Sequence, residues 1–587
     1  MMATSPFRLP RKTPFGVAEH VTEWATGLKK LNKYYQHRPH NASLDHFLRY
    51  TLDVLGIDYQ VQRGQLNAVP RQGATLIVAN HPLGAVEGVI LAELIRNVRK
   101  DVKVLANHYL KSVPELSELF IGVDVFEGEN AVKANIRALR EANKHLQNGG
   151  ALLVFPAGEV STFDKQSGKL LDKEWSRSVA KMIRKTKATT VPMFINGRNS
   201  KPFYLAGKIH PILRTLMLGR ELLNKRKQRI DIAIGEAIHY SEVKGLSDET
   251  RLVHYLRLNT YLLGSTFQIG RNEHEKCTTY DVDIIEPVEK RSLAKEIAGL
   301  SPSAFLLSQG AFDVYCAPSG DIPLVMRELG RIREVNFRAV GEGTGLEADI
   351  DAFDGYYQQL FVWDRENACI VGAYRLGVVN ELVENHGIQG LYSRTLFDYD
   401  ERFVAQLDGA IELGRSVIAR EYQRSLSALL LLWKGIATFA SRHPNITKLF
   451  GPVSISNDYS ALARKLIAET MTIHHYDIER AALVAPSNPL PEEKQAFWQH
   501  DMLSALPDLQ LLGKVLGRME DGKSVPVLLR QYLGLNGKLV CFNVDPAFNN
   551  ALDGLIVVDL LKVPEKTLAK YMGKAETVVY LSHHCRH

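Results

Sequence analysis

Ala74-Thr-Leu-Ile-Val-Ala-Asn-His-Pro-Leu-Gly-Ala-Val-Glu87 decides how the first half of this chain folds. Residues 74–79 are apolar and partly β-branched, the pattern of a strand buried on both faces. Residues 86–98 carry apolar side chains at helical spacing. Between the two lies a short turn holding a histidine. The same rhythm repeats outward, with strands expected at 102–105, 151–155, 190–195 and 230–234. A helix through Val132, Ile136, Leu139 and Leu146 ends at Gly149-Gly150. Strand–helix alternation over 70–240 predicts an α/β sheet covered by helices, whereas 1–70 reads as mostly helical, polar and basic.

His81 and Glu87 form the first candidate site. An alcohol attacking an acyl thioester must lose its proton. An imidazole is suited to take it near neutral pH, and a carboxylate fixes the imidazole tautomer and stabilises the imidazolium. His81 follows a buried strand, where α/β sheets place site residues. A second segment, Phe155-Pro-Ala-Gly-Glu-Val-Ser161, follows another such strand, and its Pro-Ala-Gly turn leaves backbone N–H groups free for a polar group. Val191-Pro192 lies inside a third.

Together these blocks resemble the lysophospholipid acyltransferase family over roughly residues 65–245. The family signatures are His-x4-Asp, Phe-Pro-Glu-Gly-Thr-Arg-Ser and a late Val-Pro; Gly122-Val-Asp-Val-Phe126 stands where the family's second block lies. The resemblance implies that His81 is a general base, that Glu87 is its partner, and that the turn of Phe155, Pro156, Gly158 and Ser161 binds the acceptor. The chain also departs from the family. Its spacing is His-x5-Glu, and Ala157, Glu159 and Val160 replace Glu, Thr and Arg. The family's Arg is associated with the acceptor's phosphate, so its loss points away from a glycerophosphate. Both departures resemble the subgroup that acylates the hydroxyl of a lyso-ornithine lipid. Arg198 and Arg214 are left either to meet a carboxylate or to face solvent or membrane.

The second half differs in texture. Residues 360–363 and 369–376 flank the turn Asp364-Arg-Glu-Asn367 as in a hairpin, a long helix is expected at about 423–441, and strands at 451–455, 538–544 and 555–559 complete an α+β pattern. Glu347, Asp349, Asp351 and Asp354 put four carboxylates in eight residues. Arg375 then falls on one strand and Glu412 with Arg415 on another, and charges beside a core need partners. From Met326 to Ser456, and again over 525–549, the sequence resembles the N-acyltransferases of ornithine-lipid synthesis. More distantly it is similar to acyl-homoserine lactone synthases; both have folds like the GCN5-related N-acetyltransferases (GNAT). The resemblance implies transfer of a 3-hydroxyacyl group to an amino-acid α-amine. Glu412 and Asp354 are then candidates to take the amine's proton, and Arg375 and Arg415 are substrate-carboxylate or structural cations. The Arg/Gln-x-x-Gly-x-Gly segment that cradles the pyrophosphate of coenzyme A does not appear before the long helix. Acyl carrier protein (acyl-ACP) is therefore the expected donor, acyl-CoA the alternative, with no bound cofactor or metal.

Composition is that of a globular protein, 45% hydrophobic and 23% charged. The net charge of +7 gathers at 8–38, seven basic residues against two acidic, and at 214–229, six against one, with apolar residues interleaved. Such segments suit an anionic membrane surface; no nucleic-acid motif accompanies them. No apolar run approaches the ~20 residues of a spanning helix, and the basic N-terminus lacks the apolar core of a signal peptide. Five cysteines without CxxC spacing point to a reducing compartment. His474-His475 reads as a helix end and His583–His587 as a frayed terminus. The expected organisation is a basic helical segment 1–64, a lysophospholipid-acyltransferase-like α/β domain 65–265 and a GNAT-like mixed-sheet domain 266–587. The expected activity is bifunctional: N-acylation of ornithine, then O-acylation of the lyso-lipid hydroxyl. The expected setting is cytoplasmic, on the inner face of the membrane and served by acyl carrier protein. Glycine or another amine as acceptor, and a membrane-binding protein with degenerate transferase domains, are the alternatives.

Overall fold

The computed structural model describes residues 5–8, 17–123, 129–164, 168–209, 211–267, 282–491 and 497–584. Cys277, Cys585, the polar stretch 270–276 and parts of 122–126 and 583–587 lie outside them. The described residues form two compact units. One holds everything up to 267 together with 497–506; the other holds 282–491 and 507–584.

The first unit is built on a seven-stranded sheet. Its chain contributes β1 (Asp58–Arg63), β2 (Thr75–Ala79), β3 (Val102–Asn107), β4 (Phe120–Val123), β5 (Ala151–Val154), a small separate hairpin of β6 (Thr162–Phe163) and β7 (Leu170–Leu171), then β8 (Thr189–Asn196) and β9 (Arg229–Ile234). The spatial order is β1-β9-β8-β2-β5-β3-β4, parallel throughout except between β8 and β9. β2 and β5 are buried at every residue, as a parallel sheet covered on both faces requires. They are neighbours in register, Ile77 opposite Leu153, so the turns that follow them emerge side by side. Asn80 ties the first of these turns to β8: its amide donates to the Ile195 carbonyl at 3.0 Å and accepts from the Ile195 N–H at 2.7 Å.

The stretch expected to be mostly helical contains the helices Val17–Ala25, Leu28–Gln36 and Leu44–Leu55, but also β1. β1 is an edge strand without one fully buried residue, so its Asp-Tyr-Gln-Val-Gln-Arg sequence carries little apolar signal. Leu31, Phe47, Leu48 and Leu52 share a core with Ile77, Val191 and Ile232, which makes this segment integral to the unit rather than a separate basic arm. Residues 497–506 join the same unit: Met502, Leu503 and Leu506 are fully buried, and His254 Nδ1 lies 3.0 Å from Ser504 Oγ.

The second unit has an eight-stranded mixed sheet. In chain order it supplies β10 (Phe305–Gln309), β11 (Phe312–Pro318), β12 (Gln358–Asp364), β13 (Cys369–Val378), β14 (Phe397–Tyr399), β15 (Ala410–Ile418), β16 (Lys448–Ile455), β17 (Val484–Pro486), β18 (Lys538–Asp545) and β19 (Ala551–Asp559). β14 pairs only with β17; the others run in the order β10-β11-β12-β13-β15-β16-β19-β18. The expected hairpin is β12–β13, and the long helix is Leu426–Arg442. β15 and β16 make the one parallel pair, through only three rungs, Ala410–Lys448, Ile411–Leu449 and Glu412–Phe450. Beyond them the strands part, and the sheet forks.

Gly451 stands at the fork, where an added Cβ would come within 2.2 Å of the Leu413 carbonyl oxygen. A glycine inside a strand marks such a close backbone approach. Gly451→Ala is expected to cost about 1–3 kcal/mol through overpacking, read as a lower thermal unfolding midpoint; an unchanged midpoint would show that the strands separate without strain.

Candidate active site

Glu87 opens the helix Val86–Arg96 and has no exposed surface. Its Oε1 accepts the N–H groups of Leu83 at 2.9 Å and Gly84 at 2.8 Å, which wraps the preceding turn over the helix N-terminus. The helix dipole favours an anion there. The same oxygen lies 2.9 Å from His81 Nδ1, with the ring N–H angled off the line between them. Such contacts tighten when substrate binds. The wrapped turn is what lets a His-x5-Glu spacing work. Burial disfavours the imidazolium, but the Glu87 carboxylate outweighs it, so His81 stands above its ordinary value. Burial likewise works against ionised Glu87; His81 and the Gly84 N–H prevail, and Glu87 stands below the ordinary carboxylate range.

His81 packs against Phe155, with ring centroids 4.5 Å apart. Both line a cavity of about 920 Å³, together with Pro156, Gly158, Glu159 and Arg214 on its polar part and Leu31, Phe47, Leu110 and Leu116 among its apolar walls. A largely apolar pocket with a few convergent polar groups has the make-up of small-molecule sites in general.

One residue that motif reading missed joins the two turns. Asp172 is buried, and its Oδ1 accepts from the His81 N–H at 3.2 Å and from Ser161 Oγ at 2.5 Å; its Oδ2 accepts from Trp175 Nε1 at 3.0 Å. Burial raises the Asp172 carboxyl above its usual range despite these donors. Ser161 is thus turned into the protein: its hydroxyl serves Asp172, its N–H bonds the His81 carbonyl at 2.9 Å, and it does not line the cavity. That corrects its expected place in the substrate-binding turn. Arg198 is corrected as well, because it is exposed and outside the cavity wall. Arg214 does reach the wall, paired with Glu159 at 2.6 Å, while Lys173 holds the other Glu159 oxygen at 2.7 Å. A cation from far along the chain therefore stands near the position that Val160 leaves apolar.

In the second unit the expected charge network forms. Arg375 is fully buried; its Nη1 reaches Asp351 at 2.5 Å and Asp354 at 3.4 Å, and the Tyr392 ring lies 4.8 Å away. Arg333, also fully buried, donates to Asp354 at 3.0 Å and to Gln359 at 2.7 Å. Asp351 and Asp354 cap each other's backbone N–H groups. Glu412 is buried and accepts from the N–H groups of Tyr392 at 3.0 Å and Ser393 at 2.7 Å and from the Tyr357 hydroxyl. Glu412 and Asp354, the expected proton acceptors, thus have oxygens engaged in holding the chain, and Arg375 uses Nη1 for Asp351 while its buried Nε and Nη2 meet no hydrogen-bond partner among the described residues. Arg415 Nε and Nη2 each stand 3.1 Å from Asp349 and Asp351, and its Nη1 donates to Tyr392 Oη at 3.0 Å. Sequence reasoning did not single out Arg333 or Tyr357: Arg333 lies in the resembling stretch that begins at Met326, but nothing in its spacing or in a tyrosine before a strand marks their burial or partners.

Comparison with known proteins agrees with this division. The family described as "Acyltransferase" matches residues 32–270, and the "Acetyltransferase (GNAT) domain" family matches residues 332–434. The chain is 30% identical to a glycine N(alpha)-acyltransferase of Phocaeicola vulgatus over 44% of its own length and 82% of that protein's, and 31% identical to the Bacteroides thetaiotaomicron protein of the same name over 44% and 80%. It is also 27% identical to a lyso-glycine lipid O-acyltransferase of Phocaeicola vulgatus, over 35% of this chain and 77% of that protein.

The His81–Glu87 pair makes stability depend on pH. The raised His81 contributes fully below the ordinary imidazole value of 6.5 and loses its contribution as pH rises through the folded value; the lowered Glu87 contributes fully above the ordinary 4.5 and loses it as pH falls. Glu87→Gln is therefore expected to destabilise by about 3 kcal/mol, most strongly between pH 4.5 and 6.5, and to lower the His81 pKa seen by NMR titration. A His81 titration that does not move would remove Glu87 as the partner.

Proposed function

The chain belongs to the acyltransferase family that includes its glycine N(alpha)-acyltransferase relatives, with an acyltransferase domain ahead of a GNAT domain, and from this we propose that it builds an amino-acid-containing membrane lipid in two steps. The GNAT domain N-acylates an amino acid with a 3-hydroxyacyl group. The N-terminal domain then esterifies the new hydroxyl with a second acyl chain. The observation that carries the reading is His81 on the wall of an apolar cavity with Glu87 buried behind it: a base for a hydroxyl beside a space suited to a hydrocarbon chain.

The acceptor of the second step is free of phosphate in this reading. The Glu159 carboxylate, though paired, places negative charge where the resembling family has an uncharged residue, and Val160 removes the forked cation a phosphate wants. Ornithine is the amino acid drawn from the sequence resemblance. The names of the relatives favour glycine as a second reading. For the donor, the fork between β15 and β16 leaves strand edges that an amide-bearing pantetheine arm can pair with, and the net positive charge suits an acidic carrier protein.

Among the described residues no helix is long and apolar enough to cross a membrane. Exposed Val21 and Trp24 on the helix Val17–Ala25, and Leu205 and Ile209 on the helix Lys201–Ile209, support a surface that rests on lipid instead.

Cells expressing the chain and fed labelled ornithine or labelled glycine should incorporate one label into a two-chain lipid detected by mass spectrometry. His81→Ala should leave the single-chain N-acyl product accumulating. A normal rate of two-chain lipid from that variant would overturn the role of His81; label from neither amino acid would overturn the pathway.

A further inference from the structure

Beyond Glu412 the forked sheet has two walls. On the β15 side Arg415 adopts φ 46°, a conformation costly for a side chain of its size, of the kind kept at sites. Its guanidinium lies 4.9 Å from the Phe548 ring, in the turn directly after Asp545. On the β16 side, Ser454 pairs with Asp553 of β19 and Asp553 with Asn543 of β18. Paired residues of antiparallel strands project from one face, and so does Asp545, two residues beyond Asn543. Ser454 is exposed, so this face meets solvent. Asp553 beside it is only 2% exposed, and Ser454 Oγ at 2.6 Å is its one hydrogen-bond donor among the described residues.

Glu342 closes a third side. It is 8% exposed, and its Oε1 has no partner among the described residues. Its loop is held firmly: the Glu342 N–H bonds the Phe337 carbonyl at 2.7 Å, and Glu334 accepts from the Thr344 N–H at 3.0 Å and the Gly345 N–H at 2.9 Å. Glu342, Asp545 and Asp553 have no ion-pair partner among the described residues. Burial and the neighbouring Asp545 and Glu342 push Asp553 up to about 7, against the Ser454 hydrogen bond and Arg415. Burial, Asp458 and Asp545 push Glu342 to about 7 as well. Tyr392, whose hydroxyl Arg415 holds, also feels Asp553. A buried carboxylate that titrates near neutrality beside an opening is equipped to exchange a proton with an ammonium.

We propose that Asp553, set between Ser454, Glu342 and Asp545 at the fork, is the group that receives the proton of the acceptor's ammonium during N-acylation. The inference rests on the reading of this domain as an amine N-acyltransferase, and it fills the place that Glu412 and Asp354 vacate. The ammonium gives one proton to the Asp553 carboxylate. The neutral nitrogen then attacks the thioester carbonyl carbon; the C–N bond forms, the C–S bond breaks, and the electron pair leaves with sulfur. Sulfur takes the second proton of the nitrogen, and Asp553 returns the first to solvent past Ser454. The products are amide, thiol and one released proton.

The test is the pH profile of N-acylation by the full chain, with an acyl carrier protein thioester as donor and ornithine and glycine in parallel. Asp553→Asn should lower kcat near pH 7 by about 100- to 10,000-fold and leave a rate that climbs with hydroxide. Glu342→Gln removes a like charge and should move the acid limb to lower pH. Both variants should still O-acylate an added single-chain lipid. Asp553→Asn within threefold of the unmodified chain, or a Glu342→Gln profile that superimposes on it, overturns the assignment. Should Asp553→Asn fail to fold, the Glu342→Gln profile decides alone. If the unmodified chain acylates neither amino acid, the N-acyltransferase reading fails, and the assignment with it.

Discussion

A charge sealed from water is costly unless donors reach it, and Glu87 organises the first unit by drawing them to one of its oxygens. Two backbone N–H groups and an imidazole converge on its Oε1 at the head of a helix. The turn between β2 and the helix can take only the path that delivers them. Asp172 repeats the device one layer away, drawing in the His81 N–H and the Ser161 hydroxyl. The two acids thereby fix the strand-end turns against each other, and His81 is held from both sides. The parallel order of β2 and β5 brings the turns together; the buried acids set their distance.

The second unit uses buried charge more heavily. Arg333 and Arg375 have no exposed surface, and Asp354 bridges them. Replacing either partner of such a group leaves an uncompensated ion in a low-dielectric interior, which costs far more than the intact network contributes. Its position shows what is gained. Asp351 and Asp349 also hold Arg415, and Glu412 holds the chain at Tyr392. The network thus sets the β15 wall of the fork, while Gly451 permits the close strand contact from which the fork opens.

Much of this was legible in the chain itself. Fully buried strands announce themselves by unbroken apolar runs, as β2 and β5 did, and β8 and β9 fell where largely apolar or alternating segments lay. β1 did not, because an edge strand needs few apolar residues. His81 and Glu87 were legible because a motif ties them, and the structure brings them to 2.9 Å. Ser161 belonged to a recognisable block, yet the direction of its hydroxyl depends on Asp172, eleven residues on and unmarked by any pattern. In the second unit the charged residues near core strands were visible as a group. Their bonding was not, since how many donors reach a buried carboxylate is decided by the fold. Glu412 and Asp354 receive several and Asp553 one, a difference no spacing encodes.

Residues 497–506 carry a consequence for biogenesis. The helix Glu249–Leu262 is buried at every residue from Leu252 to Leu262, and part of its cover is the turn His500–Ala505. The ribosome makes that cover roughly 230 residues after the last earlier piece of the unit. At about 5–20 residues per second, this helix waits on the order of 10–50 s with an apolar face uncovered. The first unit is completed only when most of the second has been translated.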